Sequence, residues 1–167
     1  MLRQPTKILG IDPGYGRLGY AVLEKNGSGE KLLVAGCVET PKNQQFEKRL
    51  QKIGAELKKI LKKYHPDALA LEKLFLNTNQ KTAMRVSETR GVVLYLCGDG
   101  AIYEFSPPEI KLAVCGYGRA DKKQVEKMIG LIFKIQKNIA DDAIDAIAIA
   151  LTASILMNPR RGIYPPH

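Results

Sequence analysis

Residues 141–157 constrain the fold of this chain more than any other segment. Ala146, Ile147, Ala148, Ile149, Ala150 and Leu151 follow one another without a polar break. A helix built on them is apolar nearly all round, so most of it has to be buried. The apolar run of 146–157 is nevertheless too short to span a bilayer, which takes about 20 such residues. Its cover must come from the rest of the protein. Ile8-Leu9-Gly10-Ile11 is a short apolar run that ends in Asp12-Pro13-Gly14, the pattern of a buried strand entering a turn. Ala68-Leu69-Ala70-Leu71 is a second such run and ends in Glu72. Residues 19–23 read as a further strand, joined to the first through the tight Gly14-Tyr15-Gly16 segment and therefore antiparallel to it. Residues 31–39 and 102–105 complete the set of strands.

Over 44–64 the hydrophobic period becomes helical. Phe46, Leu50, Ile53, Leu57, Ile60 and Leu61 share one face, and lysines with Arg49 cover the other. Residues 80–96, 108–114 and 121–133 read as further helices. Strands come first and then alternate with helices, which predicts an α/β domain with a mixed sheet. A length of 167 residues suits a single domain over 1–167, able to bury roughly 70% of its unfolded surface. No repeat, low-complexity segment or linker divides it.

The acids are the strongest chemical clue. Asp12 and Glu72 each close a four-residue apolar strand, where acids are poor strand formers and costly to bury. Taken singly, Asp12 before Pro-Gly is a turn starter and Glu72 a strand cap. If the two strands lie parallel and adjacent, both carboxylates emerge at one sheet edge, where open α/β sheets place their sites. Asp142 and Asp145 are three apart, about 60° round a helix, so they point the same way. First-turn acids complement a helix dipole, yet Asp145 already sits among apolar residues, where neighbouring like charges call for a cation. Carboxylates with no Cys or His among them suit Mg²⁺ or Mn²⁺. Two such ions about 4 Å apart can activate a water and stabilise the leaving oxygen of an in-line phosphodiester displacement.

The charge agrees with a polyanionic partner. Lys and Arg number 26 against 17 Asp and Glu, a net +9. Residues 111–137 hold seven cations (Lys111, Arg119, Lys122, Lys123, Lys127, Lys134 and Lys137) against Asp121 and Glu126. Gly116 and Gly118 around Tyr117 suggest a mobile loop able to close on phosphates. Cys37, Cys97 and Cys115 are far apart and close to neither His65 nor His167, which argues against a zinc site or a disulfide framework. No long apolar stretch opens the chain, so a cytoplasmic protein without a membrane partner is expected.

Three blocks, Ile8-Leu9-Gly10-Ile11-Asp12-Pro13-Gly14, Leu71-Glu72-Lys73-Leu74-Phe75 and Asp142-Ala143-Ile144-Asp145-Ala146, resemble the acidic motifs of the RuvC family of Holliday-junction resolvases. Thr89-Arg90-Gly91-Val92 and Ala120-Asp121-Lys122-Lys123-Gln124-Val125 match in order and spacing between them. The resemblance implies an RNase H-like fold with a mixed five-stranded sheet flanked by helices. It also implies a homodimer that makes paired nicks across four-way junction DNA in recombination and repair, alongside a junction-binding, branch-migrating helicase complex. Asp12, Glu72, Asp142 and Asp145 become the catalytic, metal-binding acids, holding two Mg²⁺ ions for which Mn²⁺ can substitute. Asp141, about 100° round the helix from Asp142, is a supporting or capping acid, with replacement of Asp142 in the metal site as its other reading. Phe75 takes the place of an aromatic that meets unpaired bases, with core packing as its other reading. Lys111 and Lys122 match basic residues beside the scissile phosphate, and Arg119 and Lys123 join them as DNA contacts. The helix over 80–96 is the expected dimer element, through Ala83, Val86, Val93 and Leu94, with Arg85, Ser87, Glu88 and Arg90 fixing register between copies; packing of that apolar side against the sheet is the other reading. Lys73 and Thr78 depart from the best-known members, which leaves base preference open.

Three rivals remain at this point. A sugar-kinase or actin-like ATPase would need two domains and a second glycine-rich phosphate loop. A non-catalytic nucleic-acid-binding relative would lack one of the acids. A nuclease of the same fold acting on RNA–DNA hybrids or branched RNA is left open by the sequence.

Overall fold

Strand β1 (Thr6–Asp12) forms the middle of the sheet, buried on both faces. The computed structural model describes residues 5–74, 80–98, 100–135 and 139–157. The further elements are β2 (Arg17–Asn26), β3 (Gly29–Glu39), α1 (Phe46–Tyr64), β4 (Ala68–Glu72) and α2 (Gln80–Cys97). They are followed by β5 (Ala101–Phe105), α3 (Pro107–Cys115), α4 (Lys122–Phe133) and α5 (Asp141–Leu156). The mixed five-stranded sheet has the order β3-β2-β1-β4-β5. β1 and β2 are antiparallel with Asp12 opposite Gly19, while β1 and β4 are parallel with Ile11 opposite Leu71. That register makes Asp12 and Glu72 the next residues out of the sheet, at the same edge.

Alternation along the strands sorts the core into two layers. Leu9, Ile11, Leu69 and Leu71 meet Ile53, Leu57 and Ile60 of α1 and Val93 of α2 on one face. Ile8, Ala21, Leu23 and Ala70 meet α3, α4 and α5 on the other. Helix α5 is buried at Ala143 and continuously from Ala146 to Ser154, as its composition requires. It approaches β1 at Gly10, where a Cβ would stand 2.2 Å from the Ala146 carbonyl oxygen and 2.8 Å from the Ala150 Cβ.

Two expectations change. β2 runs on to Asn26, because backbone pairing with β3 as far as Asn26–Gly29 carries polar Glu24 and Lys25 into the strand. Arg49 does not cover the solvated side of α1. It is only 8% exposed, with its guanidinium carbon 4.7 Å from the Tyr15 ring centre. An aromatic face gives a guanidinium an apolar and electrostatic seat that a helical wheel does not reveal.

Candidate active site

A close backbone approach brings the acids of the last helix to those of the strands. Gly19, the partner of Asp12 across the β1–β2 ladder, lies under the first turn of α5. A Cβ at Gly19 would stand 1.9 Å from the Asp142 carbonyl oxygen. The missing side chain lets Asp142 and Asp145 settle beside the ends of β1 and β4.

The electrostatics record the convergence. The Asp12 carboxyl is pushed up to about 7, first by burial, then by Asp145, Glu72 and Asp142, with Lys122 opposing. Glu72 is raised by burial and then by Asp145, and Lys111 pulls it back. Asp145 is raised chiefly by burial, against Lys122, and also by Asp142 and Asp141. Asp12 feels all three of the other acids, and Asp145 also acts on Glu72, so the charges converge on the end of β1.

Each of the two helix acids has its own cation. Arg17 Nε, at the start of β2, lies 2.7 Å from Asp142 Oδ2. Cys37 Sγ is 4.0 Å from the same oxygen. Lys122 Nζ lies 3.3 Å from Asp141 Oδ2 and 3.7 Å from Asp145 Oδ2. Asp142 is thus paired from β2 and Asp145 from α4. Asp141 shares Lys122 with Asp145, and its side chain is 69% exposed. Behind Glu72, Arg90 of α2 donates to the Glu72 carbonyl oxygen at 3.2 Å and pairs with Glu104 on β5. Arg90 thus ties the end of β4 to its neighbours.

Lys111 on α3 faces Glu72 closely enough to lower its carboxyl. Arg119 and Lys123 are exposed on the α3–α4 connection and the first turn of α4. Tyr117 between the two glycines is tied down, its hydroxyl donating to Gln124 Oε1 at 2.9 Å. Phe75, Thr78 and Lys137 lie outside the described residues. Sequence reasoning missed Arg17, whose position before an ordinary apolar strand gives no sign of its partner. It found the block containing Arg90 but gave that residue to the dimer register, not to the end of β4.

Among the described residues, no three acid, His or Cys side chains close tightly enough to enclose an ion. The donor set still suits a hard divalent cation. It offers carboxylate oxygens only, and burial first, then repulsion from the neighbouring acids, holds a proton on Asp12 up to about pH 7. A carboxyl whose folded pKa exceeds its unfolded value gives stability present below the unfolded pKa and lost as pH rises through the folded one. For Asp12 that window runs from 3.8 to about 7. In a chelator the protein should melt at a higher temperature at pH 5.5 than at pH 8.0, and Mg²⁺ should raise the pH 8.0 value selectively. A melting temperature that climbs with pH and ignores the metal would remove the acid cluster as a cation site.

Comparison with known proteins agrees with this geometry. The family described as "Crossover junction endodeoxyribonuclease RuvC" matches residues 8–153. The crossover junction endodeoxyribonuclease RuvC of Thermosipho melanesiensis is 48% identical over 147 residues, covering 86% of this chain and 94% of its own. Thermus thermophilus RuvC, solved in complex with a Holliday junction substrate, superposes with a TM-score of 0.83 at 29% identity, covering 90% of this chain and 93% of its own. The yeast mitochondrial Holliday junction resolvase shares the fold, with a TM-score of 0.64 at 13% identity over 92% of this chain and 80% of its own. The architecture is RNase H-like. No helix among the described residues is long and apolar enough to cross a membrane.

Proposed function

The chain belongs to the crossover junction endodeoxyribonuclease RuvC family, and we propose that its acid-lined sheet edge is where it cuts four-way junction DNA. It is a Holliday-junction resolvase of DNA recombination and repair. The observation that carries the assignment of the site is the convergence of Asp12, Glu72, Asp142 and Asp145 at the ends of β1, β4 and α5. These four carboxylates would hold two Mg²⁺ ions, with Mn²⁺ able to replace them. Bound there, the ions supply Lewis acidity for the attacking water and for the leaving oxygen. Arg17 orients Asp142, and Lys122 orients Asp145 while offering its charge to the scissile phosphate. Lys111 does the same beside Glu72. Arg119 and Lys123 follow the backbone further out, and Phe75 stacks on a base opened at the branch point. Residues 1–167 act as one nuclease domain, in the cytoplasm, beside a branch-migrating helicase complex.

Cutting assays with Mg²⁺ on four-way junctions, linear duplexes and RNA–DNA hybrids test the substrate. Paired nicks on the junction and little cutting of the others are expected; faster cutting of the hybrid would overturn the assignment.

Resolving a junction takes two opposed nicks, and a two-fold dimer supplies two sites with matching symmetry. Helix α2 remains the proposed contact, but through another face. Val93 is fully buried, which leaves it no part in the expected interface, and Leu94 is partly buried against the same core. The side turned outward carries Met84, 66% exposed, and Tyr95, 86% exposed. Between them on the same stripe lies Gly91, whose missing Cβ would meet nothing within 4 Å. Residues 84, 88, 91 and 95 repeat at heptad spacing, and a glycine midway permits close approach of a second helix. Tyr95→Asp should turn a sedimenting dimer into a monomer and uncouple the two nicks. A wild-type dimer from this variant would place the interface elsewhere.

A further inference from the structure

The turn that follows Asp12 forms one wall of a pocket that the acids do not use. Tyr15, Phe46, Arg49, Lys81, Thr82 and Arg85 line a cavity of about 240 Å³. Three cations and no carboxylate face it. The Arg49 guanidinium carbon lies 4.7 Å from the Tyr15 ring centre, and that of Arg85 lies 3.8 Å from the Phe46 ring centre. The two rings meet edge to face at 5.9 Å. Both guanidinium groups are thereby held in place, Arg85 also lying 3.8 Å from Glu88 Oε2 on its own helix, with donors left for a guest.

Arg49 is the telling member. It is 8% exposed, and no carboxylate among the described residues pairs with it. Its Nε donates to Thr40 Oγ1 at 2.8 Å, and the Thr40 hydroxyl donates to the Tyr15 carbonyl oxygen at 2.6 Å. A Cβ at Gly16 would stand 3.2 Å from Arg49 Nη2, so the glycine leaves the guanidinium its seat. A buried cation without a counter-ion is costly unless an anion arrives to pair with it.

Size and position narrow the anion. Pockets that enclose a whole small ligand run to about 300–1,000 Å³, so this one suits a single sugar-phosphate unit better than a free nucleotide. Tyr15 is three residues beyond Asp12, at most about 11 Å of extended chain. Phosphates follow one another about 3.4 Å apart along the axis of a strand. We propose that this pocket seats a backbone phosphate of the DNA strand, within about three nucleotides of the cut, and so fixes the strand's register on the acids. The proposal rests on the junction-DNA reading. Arg49 and Arg85 supply forked donors to the phosphate oxygens, and Lys81 closes the pocket as a point charge.

The full-length protein tests this by binding a labelled four-way junction in chelator, where it cannot cut. The double variant Lys81→Gln/Arg85→Gln alters surface residues, and its melting temperature reports that it folds. Its Kd should rise on the order of tenfold, and its salt slope should become shallower by about 0.9, one phosphate's worth. A single neutral methylphosphonate, scanned over the three nucleotides either side of the cut, should reproduce that loss at one position with the wild type. At that position it should add nothing with the double variant. An unchanged Kd, a weaker Kd with an unchanged slope, or full additivity at every position overturns the pocket. Paired nicking by the wild type would then keep the nuclease reading standing. A wild type that neither binds nor cuts the junction overturns both.

Discussion

Asp12→Asn binds a four-way junction as tightly as the wild type and does not cut it. The basic surface that meets phosphate is untouched, while the most strongly perturbed acid of the cluster loses its charge for good. Asp12 sits between Asp145, Glu72 and Asp142, all of which raise its proton affinity. The same crowding is what would give a divalent ion its hold. A loss of at least about a thousandfold in rate is expected, ~4 kcal/mol of transition-state stabilisation. Glu72→Gln, Asp142→Asn and Asp145→Asn should follow it. Asp141→Asn should not, because that side chain is mostly in solvent, is paired with Lys122 and acts on Asp145 less than Asp142 does. Near wild-type cutting by any of the first four would strip that residue of its role. Loss at Asp141 with retention at Asp142 would move the ligand by one residue. In chelator at pH 8 the Asp12→Asn protein should also melt above the wild type, since it no longer carries a charge its neighbours repel.

The second large effect is structural. Gly10→Val places a branched side chain where even a Cβ would stand 2.2 Å from the Ala146 carbonyl oxygen. That atom belongs to a buried helix backbone and cannot move aside as a flexible side chain would. Overpacking of this kind costs about 3 kcal/mol or more, and for a chain of this size the melting temperature should fall by roughly 6–12 °C. Gly19→Ala offers the contrast. Its Cβ would press on the Asp142 carbonyl at the frayable first turn of α5, so cutting should suffer more than melting. A Gly10→Val protein that melts within a degree of the wild type would mean that α5 does not rest on β1 as described.

Much of this was legible beforehand, for physical reasons that differ between residues. β1 and β4 announce themselves because strands buried on both faces must be apolar throughout, and α5 because almost nothing on it tolerates water. The acids stood out against that background. The extent of β2 did not, because Glu24 and Lys25 are held by backbone pairing, to which side-chain polarity is no guide. Arg49 was misplaced on the solvated face because its burial depends on Tyr15, a residue 34 positions earlier that only the tertiary fold brings to it. On α2 the sequence shows that apolar residues are plentiful, but not which of them the sheet claims, and Val93 fell to the core. The Arg17–Asp142 pair spans most of the chain and has no local signature.

The order in which the elements leave the ribosome bears on when this protein can do harm. Asp12 and Glu72 are in place once β4 has docked beside β1, but Asp142 and Asp145 ride on the last helix, which packs against β1, β2 and β3. At about 5–20 residues per second, the 84 positions from Glu72 to the end of α5 take roughly 4–17 s to synthesise. Throughout that interval the nascent chain can carry basic surface and half of the acids, yet it has no complete set. Because the closing piece is also the most apolar one, acquiring the second pair of acids and sealing the core are a single event. A chain broken off before α5 therefore lacks a finished core and half of the proposed acid set, and cutting is expected only after α5 has docked.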